Sequence, residues 1–205
     1  FDGLRFKSVV LDWDVDVDSQ GQSTSFEESL GLYPITFTDI VPITRLFMFT
    51  DTHCHLYYDS IKKDIQTVLA RAEEQGVNRF ICVGTNTTNS AESLKISANF
   101  DSVYASAGVH PHDAKDAPGD YLKQIRDLLQ FDKMVAVGEM GLDYFRNISP
   151  PDVQEKVFRE QMELAHQINK PVIFHNRDAD EDVIKILSEF PGVVGVSHCF
   201  SSDLK

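Results

Sequence analysis

Short apolar runs recur along the chain from Met48 onward, and each is followed by a stretch with helical spacing. The runs cover 46–51, 80–84, 103–109, 135–139, 171–175 and 193–198. The stretches between them cover 60–75, 89–99, 121–131, 151–169 and 179–190. The fourth is the clearest helix: Val153, Val157, Phe158, Met162, Leu164, Ala165 and Ile168 share one face at three- and four-residue spacing. Pro150 and Pro151 stand at its start, where a missing N–H is tolerated, and Pro171 closes it. The apolar runs are too short for helices and read as buried strands. Six strands alternating with five helices predict a parallel sheet covered by its own crossover helices. No glycine-rich phosphate loop follows the first strand, which removes the main support for a doubly wound nucleotide-binding fold. The expected fold is α/β, a TIM-type (β/α)8 barrel, incomplete, with about six βα units present.

The first 47 residues have another texture. They hold eight acids, three bases and the only tryptophan, Trp13. Apolar and acidic residues alternate over 10–18, and 19–25 reads as a loop. Asp16, Asp18, Gln20, Gly21 and Glu27 fall at positions 1, 3, 5, 6 and 12 of a calcium loop. Gln20 is a weak ligand, Ser23 replaces the usual apolar residue and Pro34 follows soon after, so a solvated acidic turn is the better expectation. Residues 1–47 are therefore expected to be an N-terminal extension unrelated to the barrel, and 48–205 a partial barrel.

Composition narrows the function classes. A hydrophobic fraction of 42% with 25% charged residues is that of a folded globular chain. No apolar run approaches the roughly 18 residues of a membrane span, so no membrane partner is expected. The net charge of −13 excludes a basic protein that coats nucleic acid, because phosphate neutralisation needs the opposite sign. An enzyme that meets a polyanion through bound cations remains compatible with it. Cys54, Cys82 and Cys199 are too few for a disulfide scaffold, and no signal-peptide pattern is present at Phe1. A cytoplasmic location and no obligate protein partner are the expectations.

The histidines carry the chemistry. His53 and His55 lie two apart at the end of the first strand, so both imidazoles face one side. Glu139 is expected to end the fourth strand, His175 the fifth and His198 the sixth, while His110 and His112 flank Pro111 after the third. In a barrel all these strand ends meet at one mouth. Imidazoles with a carboxylate suit Zn²⁺, Mn²⁺ or similar ions, and one carboxylate can serve two of them through its two oxygens. His53, His55, Glu139, His175 and His198 are the expected ligands. His166 lies inside a helix without a partner motif and is read as ordinary. Cys54 and Cys199 should point away from the ligands and are expected to be buried packing residues.

These residues sit in runs that resemble the TatD family of metal-dependent deoxyribonucleases: Asp51-Thr-His-Cys-His-Leu56, Gly108-Val-His-Pro-His112, Gly138-Glu-Met-Gly-Leu-Asp-Tyr144, His175-Asn-Arg-Asp-Ala179 and His198-Cys-Phe-Ser201. The runs agree in order over roughly three quarters of the chain. The resemblance implies a TIM-barrel hydrolase of DNA phosphodiesters that uses two divalent ions (Mg, Mn or Zn) and a metal-activated water. It implies the ligand set just given, a catalytic role for Glu139 and His110, and substrate contact by His110, His112 and Arg177. Asp143 is expected to orient the ligands from behind. The family pattern also holds a further Asp ligand and base near the end of an eighth strand, which this sequence does not reach at Lys205, and a glycine where Ser202 stands. The alternatives are a related barrel hydrolase acting on another ester, amide or phosphoester, or a non-catalytic metal-binding remnant. Glu139, where phosphotriesterase-like proteins place a modified lysine, favours the TatD reading.

Overall fold

The computed structural model describes residues 48–200. The acidic segment 1–47, its calcium-loop pattern and Ser202 lie outside the described residues. Six strands follow one another in chain order: β1 (Phe49–Cys54), β2 (Val77–Val83), β3 (Val103–Ala107), β4 (Met134–Asp143), β5 (Val172–Arg177) and β6 (Gly195–His198). They form one sheet in the order β1-β2-β3-β4-β5-β6, every neighbour parallel. The crossovers carry α1 (Asp59–Lys62), α2 (Ile65–Glu74), α3 (Thr87–Asn99), α4 (Tyr121–Leu128), α5 (Pro151–Ile168) and α6 (Asp180–Ser188). Strictly sequential parallel order with helical crossovers is the arrangement of a TIM-type barrel, here with six strands joined by five helical crossovers. The sheet curls enough for the ends of β1 and β6 to meet, since the His53 and His198 rings stack at 3.5 Å. Among the described residues no helix is long and apolar enough to cross a membrane.

Three buried apolar clusters hold the sheet among the described residues, the smallest being Val83, Ala136 and Ile173 on β2, β4 and β5. The largest packs α4, α5 and α6 onto β3–β5 through Ile125, Met134, Met140, Leu142, Phe158, Met162 and Ile186, all fully buried. The second joins α2 and α3 to β2 through Leu69, Phe80, Cys82 and Ile96.

The boundaries differ from the sequence reading in ways that bear on the site. The helix expected over 60–75 is interrupted between Lys62 and Ile65. Glu139 does not end β4, which runs on to Asp143. Gly138 and Gly141 read as strand breakers, but both have positive φ, and a Cβ on either would collide with a β5 carbonyl oxygen, that of Ile173 or His175. The register shifts between Val137 and Met140 and then resumes, so Glu139 sits at an irregularity inside the strand, and Gly141 stands opposite His175. His175 is likewise within β5, two residues short of its end.

Candidate metal centre

Glu139 is 4% exposed, and among the described residues no lysine or arginine makes an ion pair with it. Its two oxygens face different imidazoles. Oε2 lies 3.3 Å from His53 Nε2. Oε1 lies 3.5 Å from His175 Nδ1 and 3.7 Å from His110 Nε2. His198 joins His53 and Glu139 in one group whose potential ligand atoms lie within 4.8 Å of one another, and His110, Glu139 and His175 form a second. Burial pushes the Glu139 carboxyl up, but the close approach of His175, His53 and His110 outweighs it and holds the group well below the usual carboxylate range. Glu139 is therefore an anion at neutral pH, walled by imidazoles.

Hydrogen bonding fixes which nitrogen of each ring is free. A carbonyl only accepts, so the 3.0 Å contact from His55 Nδ1 to the Val83 oxygen puts the proton on Nδ1 and leaves the Nε2 lone pair free. His175 Nε2 donates to Asp143 Oδ2 at 3.1 Å, which leaves Nδ1 lone-paired toward Glu139. His110 is the reverse case: its Nδ1 accepts the His112 backbone N–H at 3.1 Å, so the neutral ring carries its proton on Nε2. That nitrogen faces Glu139 as a donor and not as a ligand. Burial holds His110 neutral, its pKa lowered to about 3. Burial and the neighbouring His53 lower His198 to about 4, and the same two causes lower His55. His175 is raised: burial opposes its charge, but the negative charges of Glu139 and Asp143 beside it prevail.

These residues fit a divalent ion. Both ring nitrogens of His53 are buried and lack a hydrogen-bond partner, an arrangement that is costly unless something accepts the lone pair. The contacts of 3.3 and 3.5 Å to Glu139 are those of neighbouring ligands, since metal bonds of about 2.0–2.1 Å at tetrahedral angles separate ligands by about 3.3 Å.

The other expected residues fall behind or beside this cluster. His55 belongs to neither group, though its ring lies 5.0 Å from that of His53. Asp143 is 1% exposed and accepts from His112 Nε2 at 2.8 Å as well as from His175. His112 thus contacts Asp143 and not Glu139. Arg177 stands at the exposed end of β5 with its guanidinium over the Phe145 ring, 3.9 Å from the centroid. Cys54 is half-buried and points its thiol at the Ile81 carbonyl. Cys199 departs from expectation: it is exposed, because its φ of 49° turns the chain out of strand alternation directly after His198.

The sequence reading passed over three supporting side chains. Tyr57 Oη lies 2.9 Å from His55 Nδ1 and donates to the Val83 carbonyl. Gln154 and Gln161 are fully buried on α5. Gln154 bonds the N–H and carbonyl of Asp143, and Gln161 bonds both backbone groups of Val109, next to His110. Two polar residues seven apart on an otherwise apolar helical stripe were the signal available.

A curled parallel sheet that gathers histidines and one buried glutamate toward the carboxyl ends of its strands defines a metal-binding βα barrel. The chain belongs to the TatD related DNase family, which it matches over residues 50–205. It is 42% identical over 156 residues to the "uncharacterized metal-dependent hydrolase YabD" of Bacillus subtilis, covering 75% of this chain and 61% of that protein. It is 43% identical over 143 residues to the "3'-5' ssDNA/RNA exonuclease TatD" of Edwardsiella piscicida, covering 67% and 54%. Among solved structures, the TatD homologue YjjV of Escherichia coli K12 superposes with a TM-score of 0.71 at 33% identity, covering 76% of this chain and 61% of that one. The chain thus spans less than two thirds of the length of the relatives it matches.

Proposed function

We propose that residues 48–205 supply the metal-binding part of a cytoplasmic hydrolase that removes nucleotides from single-stranded DNA, with residues 1–47 as a separate extension. The observation that carries this reading is the division of Glu139: one oxygen faces His53, the other His175, as suits a carboxylate shared between two ions. Relatives named as 3'-5' ssDNA/RNA exonucleases support the substrate class.

His53, His55, Glu139, His175 and His198 are the proposed ligands. Bound divalent ions would supply Lewis-acid stabilisation of phosphoryl charge and a water of lowered pKa. The chain's own groups do the rest. Asp143 keeps His175 turned with Nδ1 toward Glu139. His110, neutral and protonated on Nε2, offers a fixed donor to a phosphate oxygen, and a donor placed in advance needs no reorganisation as charge develops. Arg177 adds donors for the strand, and His112, its Nε2–H held by Asp143, is proposed to contact the strand through the rest of its ring.

The test is incubation of the full-length protein with single-stranded DNA labelled at its 5′ end. Progressive shortening of labelled strands in Mg²⁺, Mn²⁺ or Zn²⁺, abolished by EDTA, is expected. No shortening with any of the three ions, or shortening that EDTA leaves unchanged, would overturn the reading.

A further inference from the structure

Phe145 is a large aromatic ring with 60% of its surface exposed, two residues beyond the buried Asp143. Its turn is pinned on several sides. Asp143 Oδ1 accepts the Arg146 N–H at 2.7 Å, the Asp143 carbonyl accepts the Asn147 N–H, and the Tyr144 N–H donates to the Arg177 carbonyl at 3.0 Å. Arg177 pairs with Asp143 in the β4–β5 register, and its guanidinium covers one face of the Phe145 ring at 3.9 Å. Among the described residues no carboxylate makes an ion pair with Arg177, so the phenyl ring is the group that holds it. Arg146, also exposed, adds a second cation to the same turn of an acidic chain. A rigid turn, an aromatic ring with much of its surface in solvent and an unpaired planar cation are what a flexible strand of bases and phosphates requires: stacking for a base, and donors for the phosphate beside it.

We propose that Phe145 and Arg177 form a stacking platform for one nucleobase of the single-stranded substrate, with the Arg177 guanidinium turned to an adjoining phosphate. The proposal rests on the nuclease reading for its ligand class and extends it to a subsite at the exposed ends of β4 and β5. Stacking on a phenyl ring is tolerant of base identity, because every base offers a π face, so the platform holds a strand without selecting its sequence. It also gives an acidic chain a local means of holding a polyanion outside the histidine cluster.

The experiment measures equilibrium binding of a short, 5′-fluorescent, phosphorothioate single strand to the full-length protein in magnesium, by anisotropy. Phe145→Ala is expected to weaken binding by about 5- to 100-fold, and Phe145→Trp to retain it. A single abasic residue moved along the strand should reproduce that loss at one position in the native protein and cause no further loss there in Phe145→Ala. Arg177→Gln should lower the slope of log affinity against log salt by about one. Phe145→Ala binding as tightly as the native protein, abasic losses that simply add to it at every position, or no binding by the native protein would each overturn the platform. The two readings separate cleanly. A protein that shows the Phe145 dependence but releases no nucleotide from ordinary DNA keeps the platform and loses the nuclease activity.

Discussion

Asp143 and His175 face each other across the β4–β5 pair, carboxylate Oδ2 to imidazole Nε2, at 3.1 Å. The contact sets the free nitrogen of His175, because a ring whose Nε2–H is held by a carboxylate keeps its lone pair on Nδ1, the nitrogen beside Glu139. Asp143 is itself fixed: Gln154 holds its backbone N–H at 2.8 Å, and the Arg146 N–H and His112 Nε2 occupy its oxygens. Burial pushes its carboxyl up, but the Arg146 N–H, His112 and His175 outweigh that and hold it below its ordinary value. A buried anion thus orients the histidine that the cluster presents.

Asp143→Ala should therefore weaken divalent-ion binding without touching a proposed ligand. The expected loss is about 10- to 100-fold in affinity, read by calorimetric titration with Mn²⁺ or Zn²⁺. Asp143→Asn should recover part of it, since the amide oxygen can still accept from Nε2. Equal affinity in Ala and native proteins would show that His175 needs no orienting partner.

Glu139→Gln tests the division of the carboxylate. The amide keeps the volume but loses the charge and one acceptor oxygen. If Glu139 serves two ions, the stoichiometry of bound metal measured by elemental analysis falls below that of the native protein, whereas His198→Ala removes ligation from one side only. A Glu139→Gln protein that holds the native complement of metal would assign the ligation to histidines alone.

Much of this was legible in the sequence, and the unread part has physical causes. The alternation of apolar runs with a 3.6-residue stripe gave six strands in sequential order, because that pattern records burial directly. Strand ends were harder. Gly138 and Gly141 are strand breakers by propensity, but here they serve the close approach of β5, which is a tertiary fact. The His-x-His and Gly-Glu-x-Gly spacings located the cluster. The protonated nitrogen of His110 depends on one backbone N–H in the turn that follows Pro111, and no spacing rule contains that. Phe145 fell outside the reading because an exposed aromatic residue gains meaning only when its neighbour in space, Arg177, is known.

The metal-free protein should lose stability as pH falls below about 6.5. His110, His198 and His55 are all lowered in the folded chain, chiefly by burial, whereas in the unfolded chain they take up protons near the ordinary value of about 6.5. For a lowered group the stabilisation is present above the unfolded value and is lost as pH falls toward the folded one. For His110 and His198 the folded values are about 3 and about 4. His175 is raised and works in the opposite sense, stabilising below its folded value and ceasing to do so as pH rises through it. Three against one sets the net direction. Melting in EDTA from pH 8 to pH 5 should show a falling Tm. A Tm that climbs toward acid would mean the His175 contacts with Glu139 and Asp143 outweigh the other three.

Gln161→Leu should be among the most damaging single changes outside the histidine cluster. Gln161 is fully buried, its Oε1 accepts the Val109 N–H at 2.7 Å and its Nε2 donates to the Val109 carbonyl at 3.0 Å. Leucine fits the volume but satisfies neither group. Two buried backbone groups lose their partner, at about 1–3 kcal/mol each, so a loss of about 2–6 kcal/mol is expected in urea unfolding. The matched control is Gln167→Leu on the same helix, where the side chain is exposed and the change should stay within about 0.5 kcal/mol. Because Val109 directly precedes His110, the surviving fold should also lose the fixed orientation of that ring. In a nuclear magnetic resonance spectrum the His110 imidazole would then titrate closer to an ordinary histidine than in the native protein, while His55, held by Val83 and Tyr57 at the other side of the cluster, would not move.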